Sequence, residues 1–159
     1  MTAQNGQVCL TDGIRAEWEW WAVRLSTTVF RWHMSHSCTQ TVFTDASLDV
    51  IAYVTSRAAH HQLTAYAGEY ICVQEAEAIE QAVRYEAQPS ARVALYTDST
   101  SCLHAFQKRS SSNATVNNLI ASTHLHLHNL KSELELHYVN THENIADPFT
   151  RYPFGYCQV

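Results

Sequence analysis

Val42-Phe43-Thr44-Asp45-Ala46-Ser47 sets the reading of this chain, because its pattern returns in Leu95-Tyr96-Thr97-Asp98-Ser99. Each is a short β-rich run in which an aromatic residue and a threonine lead to an aspartate. If the two strands are parallel neighbours, their terminal carboxylates stand side by side at one edge of a sheet, since adjacent strands lie about 4.8 Å apart. Carboxylates that close repel unless they share a cation, and oxygen-only donors suit Mg²⁺ or Mn²⁺. Either acid alone is also a common turn residue or helix cap, Asp98 especially, with Ser99 and Thr100 behind it.

Outward from these runs, the pattern predicts strands over 41–46, 49–56 and 62–70, with His60-His61 in the turn between the last two. A helix follows from about 73, where Ala76, Ile79 and Val83 recur at helical spacing until Gln88-Pro89-Ser90 stops the run. The strand over 92–97 leads into a helix that ends near 108, and 110–113 is a loop. A second amphipathic helix over 116–131 turns Val116, Ile120, Thr123, Leu127 and Leu130 inward. A strand over 134–139 and a short helix over 145–152, begun or interrupted around Pro148, complete the order. Strands joined by crossover helices imply a mixed α/β architecture, with five strands in one mixed sheet flanked by helices.

Upstream, residues 12–25 form a predicted helix with Asp12 as its cap and Ile14, Trp18, Trp21 and Leu25 on one face. All four tryptophans, Trp18, Trp20, Trp21 and Trp32, fall in the first 32 residues. They read as a stripe that packs the segment on the domain or on a neighbouring one. Residues 1–40 are therefore expected to be a helical connection segment packed on a domain that spans 41–159.

The chain of 159 residues, 46% hydrophobic and 16% charged, can bury one substantial core. No stretch approaches the roughly 20 apolar residues of a membrane-spanning helix, and the start lacks the order of a signal peptide, so an intracellular location and no membrane partner are expected. Cys9, Cys38, Cys72, Cys102 and Cys157 are odd in number and widely spaced, which points to reduced thiols. A net charge of −5 runs against a large nucleic-acid footprint, unless bound cations supply positive charge that the count omits.

Four segments in order, Val42 to Ser47, Gln74-Glu75-Ala76-Glu77-Ala78-Ile79, Leu95 to Ser99, and Glu143-Asn144-Ile145-Ala146-Asp147-Pro148-Phe149-Thr150-Arg151, resemble the ribonuclease H family. The closing segment looks like the end of such domains in retroelement reverse transcriptases, including the DIRS-like and hepadnavirus-like groups. The resemblance covers about residues 41–151 and implies a ribonuclease H-like fold. By that resemblance Asp45, Glu75, Asp98 and Asp147 are the catalytic, metal-holding acids. Glu75 is preferred for the small and alanine-rich run after it, with Glu77 as rival and Glu80 behind. The implied activity is hydrolysis of the RNA strand of an RNA/DNA hybrid by two Mg²⁺ or Mn²⁺ ions about 3.5 to 4 Å apart. Asp45 would bridge the ions, Glu75 and Asp98 would hold one, and Asp147 the other.

Hybrid recognition is expected through duplex shape and RNA 2′-hydroxyls, with Lys108, Arg109, Asn113 and Arg151 as candidate substrate contacts and an attached reverse transcriptase domain adding grip. Two departures from the family pattern stand out: only His142 precedes Asp147 closely, and no glycine-rich turn follows Asp45. His124, His126 and His128 alternate with leucine, and His124 with His128 could share a metal, although a surface or partly packed role fits the same spacing. Two other readings stay open: an inactive or weakened module kept for assembly with a polymerase, and a DNA-cutting transposase or resolvase-type nuclease.

Overall fold

The computed structural model describes residues 12–27 and 39–151, with side chains of the first stretch up to residue 23. Trp32, the facing of Leu25, Cys9, Cys38, Cys157 and the expected helix end at 152 lie outside the described residues. The chain divides into two units, residues 1–34 and 35–159. In the first unit α1 spans Asp12–Thr27, and Trp20 meets Trp21 edge to face at 4.9 Å.

The second unit runs β1 (Thr39–Ala46), β2 (Val50–Thr55), β3 (Ala59–Leu63), α2 (Ile71–Glu86), β4 (Arg92–Thr97), α3 (Thr100–Lys108), α4 (Ala114–Leu130), β5 (Glu133–Tyr138), a 3₁₀ turn (Thr141–Glu143) and α5 (Asp147–Arg151). The five strands form one sheet in the order β3-β2-β1-β4-β5. β2 is antiparallel to both β1 and β3, whereas β1, β4 and β5 are parallel, so the expected five-stranded mixed sheet is present.

Side chains alternate across the strands and so divide the sheet into two faces. Val42, Tyr53, Val93 and Leu95 meet Val73, Ala76, Ile79 and Val83 of α2, Cys102 and Phe106 of α3, and Val116, Leu119, Ile120 and Leu127 of α4 in a single buried cluster. On the other face, Phe43, Tyr96 and His137 stack across three neighbouring strands at 4.8 and 4.9 Å. In α4 the predicted inward residues are buried except Leu130, which is half-buried, and Leu119 completes the face.

The predicted strand over 62–70 is corrected: β3 is Ala59–Leu63, and His60 and His61 belong to it rather than to a turn. The hairpin pairs Tyr53 with His60 and Ala52 with His61, and the Tyr53 and His60 rings stack at 4.8 Å. The turn lies just before, where the Thr55 N–H donates to the Ala58 carbonyl at 2.9 Å and the Thr55 hydroxyl oxygen accepts from Arg57 and Ala58. Beyond β3 the chain folds back on itself, because Gln74 Nε2 donates to the Tyr66 and Glu69 carbonyls. The closing helix begins at Asp147, two residues later than expected, since Asn144 and Ala146 are tied into the turn before it. Among the described residues no helix is long and apolar enough to cross a membrane.

Candidate metal centre

Parallel pairing sets Phe43 of β1 opposite Tyr96 of β4, so Asp45 and Asp98, each two residues further on, arrive at the same level. Ser99 caps α3, its Oγ accepting from the Cys102 N–H at 3.4 Å, and the Asp98 carboxylate is thereby relieved of the capping role open to it. Glu75, on the second turn of α2, completes the group. One carboxylate oxygen each from Asp45, Glu75 and Asp98 lies within 4.8 Å of the others.

Glu75 and Asp45 are buried and Asp98 is half-buried. Burial pushes the Glu75 carboxyl up to about 9, with Asp45 and Asp98 adding repulsion and the Ala46 backbone N–H opposing. Asp45 rises to about 6, first by burial and then through Asp98 and Asp147, against the Thr150 hydroxyl and Arg151. Glu75 Oε2 is buried without a hydrogen-bond partner. An orphaned acceptor among partly buried, repelling carboxylates is a set of hard oxygen donors that a divalent cation would satisfy.

Asp147, the fourth predicted acid, opens α5 and stands outside the three-acid group, yet close enough to Asp45 to raise it. Its Oδ1 accepts from Arg151 Nη2 at 2.6 Å. Glu77 turns elsewhere: its carboxylate accepts from the Thr64 hydroxyl and from the Ala65 N–H at 3.0 Å, tying the loop after β3 to α2. Glu80 is held by Arg84 and by the Ser122 hydroxyl. Of the three candidate glutamates, Glu75 alone joins the acids.

The candidate substrate contacts lie at the end of α3, at the head of α4 and in α5. Lys108 ends α3 and Arg109 follows it in a left-handed conformation, both exposed. Asn113 caps α4, its Oδ1 accepting from Thr115 and Val116. Arg151 is exposed and paired with Asp147.

His124 and His126 are half-buried, with Nε2 atoms that lack partners, and burial beside Arg109 lowers the His124 pKa against the pull of the Phe106 carbonyl. Among the described residues no histidine joins a three-donor metal group. Cys72 and Cys102 are free thiols, and burial pushes Cys102 up to about 12.

Two residues that sequence reasoning passed over hold the last segment to β1. Asn144, buried, donates from Nδ2 to the Thr44 carbonyl at 2.9 Å and accepts at Oδ1 from the Ala146 N–H at 3.2 Å. Thr150, also buried, donates from its hydroxyl to Asp45 Oδ2. No local signal marks them, because Asn144 lies in the turn before α5 and Thr150 in a short helix, and their role comes from contact with β1. Asn144→Ala removes both contacts and leaves the Thr44 carbonyl short of a donor. It is expected to destabilise the fold by about 2 kcal/mol, read from the midpoint of urea unfolding.

Neither a family model nor a curated protein matches the sequence. The architecture does match solved structures, among them ribonuclease H1 from the halophilic archaeon Halobacterium salinarum NRC-1. That match has a TM-score of 0.56 at 12% identity and covers 70% of this chain and 93% of that one. At such identity the likeness is one of fold, and it coincides with the sheet order and flanking helices described above. The chain carries a ribonuclease H-like fold.

Proposed function

We propose that this chain is a ribonuclease H, a metal-dependent endonuclease that hydrolyses the RNA strand of RNA/DNA hybrids within a retroelement reverse transcriptase. The observation that carries the reading is the meeting of Asp45, Glu75 and Asp98, from a strand, a helix and a second strand end, in one partly dry cup that includes an unpartnered Glu75 oxygen.

Two divalent cations, Mg²⁺ or Mn²⁺, would supply activation of water and charge stabilisation at the leaving 3′ oxygen. Glu75 and Asp98 would hold one ion and Asp147 the other. Asp45 suits the shared place because it feels both Asp98 and Asp147, whereas Glu75 feels Asp45 and Asp98. Arg151, by pairing with Asp147, is placed to steady that acid as well as to meet a phosphate. Lys108 and Arg109, exposed at the end of α3, are the other candidate phosphate contacts, with the Asn113 amide beyond them at the head of α4.

The chain has few cations and a net charge of −5, so the bound ions and an attached polymerase would supply most of the grip on the hybrid. Residues 1–40, with their tryptophans, are proposed as the connection to that polymerase.

The test is incubation of the purified chain with end-labelled RNA/DNA hybrid, duplex DNA and duplex RNA, in Mg²⁺ and in Mn²⁺. Metal-dependent loss of the hybrid's RNA strand alone is the expected result. Cutting of duplex DNA would move the protein to the transposase or resolvase class. A folded protein that cuts none of the three would be an assembly module.

A further inference from the structure

The three acids are carried by β1, α2 and the end of β4, but the side chain that holds Asp45 comes from α5. Thr150 is 6% exposed, and its hydroxyl donates to Asp45 Oδ2 across 105 residues of sequence. The same hydroxyl lies 3.0 Å from the Asp147 carbonyl one turn back. A hydroxyl has one proton, and an ionised carboxylate is the stronger acceptor, so Asp45 takes it. One residue on, Arg151 donates to Asp147 Oδ1. A single short helix thus carries one acid, steadies that acid, and grips a second acid on the central strand. Asn144 anchors the whole segment through the Thr44 carbonyl, one residue before Asp45.

We propose that Thr150 is a positioning residue for the metal centre: its hydroxyl fixes the Asp45 carboxylate through one oxygen, so that the other is presented toward Glu75 and Asp98. This rests on reading the acid cup as a cation site. Asp45 has two side-chain torsions and stands among repelling carboxylates, so without a donor on Oδ2 it would turn away from them in the metal-free protein. Cation binding would then have to restore the productive rotamer. Outer partners that orient a ligand in this way are worth roughly 10-fold to 100-fold in metal affinity.

The test is calorimetric titration of Mg²⁺ alone into the full chain, for wild type, Thr150→Val, Thr150→Ser, and Thr150→Val combined with Asp45→Asn, with melting curves in chelator for each. Thr150→Val, which keeps the shape and deletes the hydroxyl, is expected to weaken Mg²⁺ binding about tenfold. Thr150→Ser, which keeps the hydroxyl, is expected to bind as wild type. With Asp45→Asn already present, Thr150→Val should add no further loss.

Wild-type affinity in Thr150→Val, or equal weakening in Thr150→Ser and Thr150→Val, overturns the proposal. Should Thr150→Val fail to fold, Thr150→Ala against Thr150→Ser makes the same comparison. If folded wild type binds no Mg²⁺ and leaves the hybrid intact, the nuclease reading fails. If wild type binds and cuts while Thr150→Val is unchanged, only the role of Thr150 fails.

Discussion

Asp98→Asn is expected to lower hybrid cleavage about a thousandfold and to leave the metal-free protein at least as stable as wild type. Losing one carboxylate from a two-metal site removes several kcal/mol of charge stabilisation in the transition state, and each 1.4 kcal/mol is about a factor of ten in rate. Stability moves the other way because Asp98 is one of the charges that raise both Asp45 and Glu75. A neutral amide at position 98 relieves that repulsion and keeps the Ser99 cap of α3 intact. Single-turnover cleavage of a labelled hybrid and melting in chelator read the two effects separately. Activity within tenfold of wild type would remove Asp98 from the site. A lower melting temperature would show that its role is to hold the fold.

The second large effect is in pH. Without divalent cation, the protein is expected to lose several kcal/mol of stability between about pH 4.5 and pH 9. The sign follows from Glu75, whose carboxyl lies near 4.5 in an exposed chain and about 9 in the folded one. Below the lower value both states hold the proton and no stability is lost. Between the two values the unfolded chain releases a proton that the folded chain keeps, which costs the fold about 1.4 kcal/mol per unit. Asp45 adds a smaller loss of the same sign between its ordinary 3.8 and about 6.

Glu75→Gln should flatten the profile above pH 6, because an amide has no charge to bury. Millimolar Mg²⁺ should restore wild type at high pH and stabilise Glu75→Gln less, since a cation that binds only the folded form stabilises it by mass action and the variant has lost one ligand. Chemical unfolding at unit pH steps, with and without Mg²⁺, gives all four curves. Wild type and Glu75→Gln with the same slope would sink the idea that Glu75 is a buried acid with no cationic partner.

The parts of this fold that sequence revealed are those fixed by local pattern. Val42 to Asp45 and Leu95 to Asp98 end in acids at equivalent heights, and parallel pairing is enough to bring them together. The helices over Ile71–Glu86 and Ala114–Leu130 announced themselves by apolar spacing. What escaped depends on contacts between segments. The limits of β3 follow from the pairing of His60 and His61 with β2, which no local propensity encodes in Ala59 to Leu63. Glu75 and Glu77 are two positions apart on one buried helix, and only the loop carrying Thr64 and Ala65 claims Glu77 and leaves Glu75 to the acids. Asn144 and Thr150 read as ordinary turn and helix residues until β1 lies beneath them.

The parallel seam between β1 and β4 also dictates when the acid group can be completed. Asp45 gains Asp98 as a neighbour only after residues 92–97 have been laid beside β1, and its brace only after residue 150 has docked. A chain that ends before residue 92 therefore has Asp45 and Glu75 but neither Asp98 nor the Thr150 brace. The proposed activity would therefore arise only after these contacts close, and its appearance during refolding would time the joining of β4 and α5 to β1.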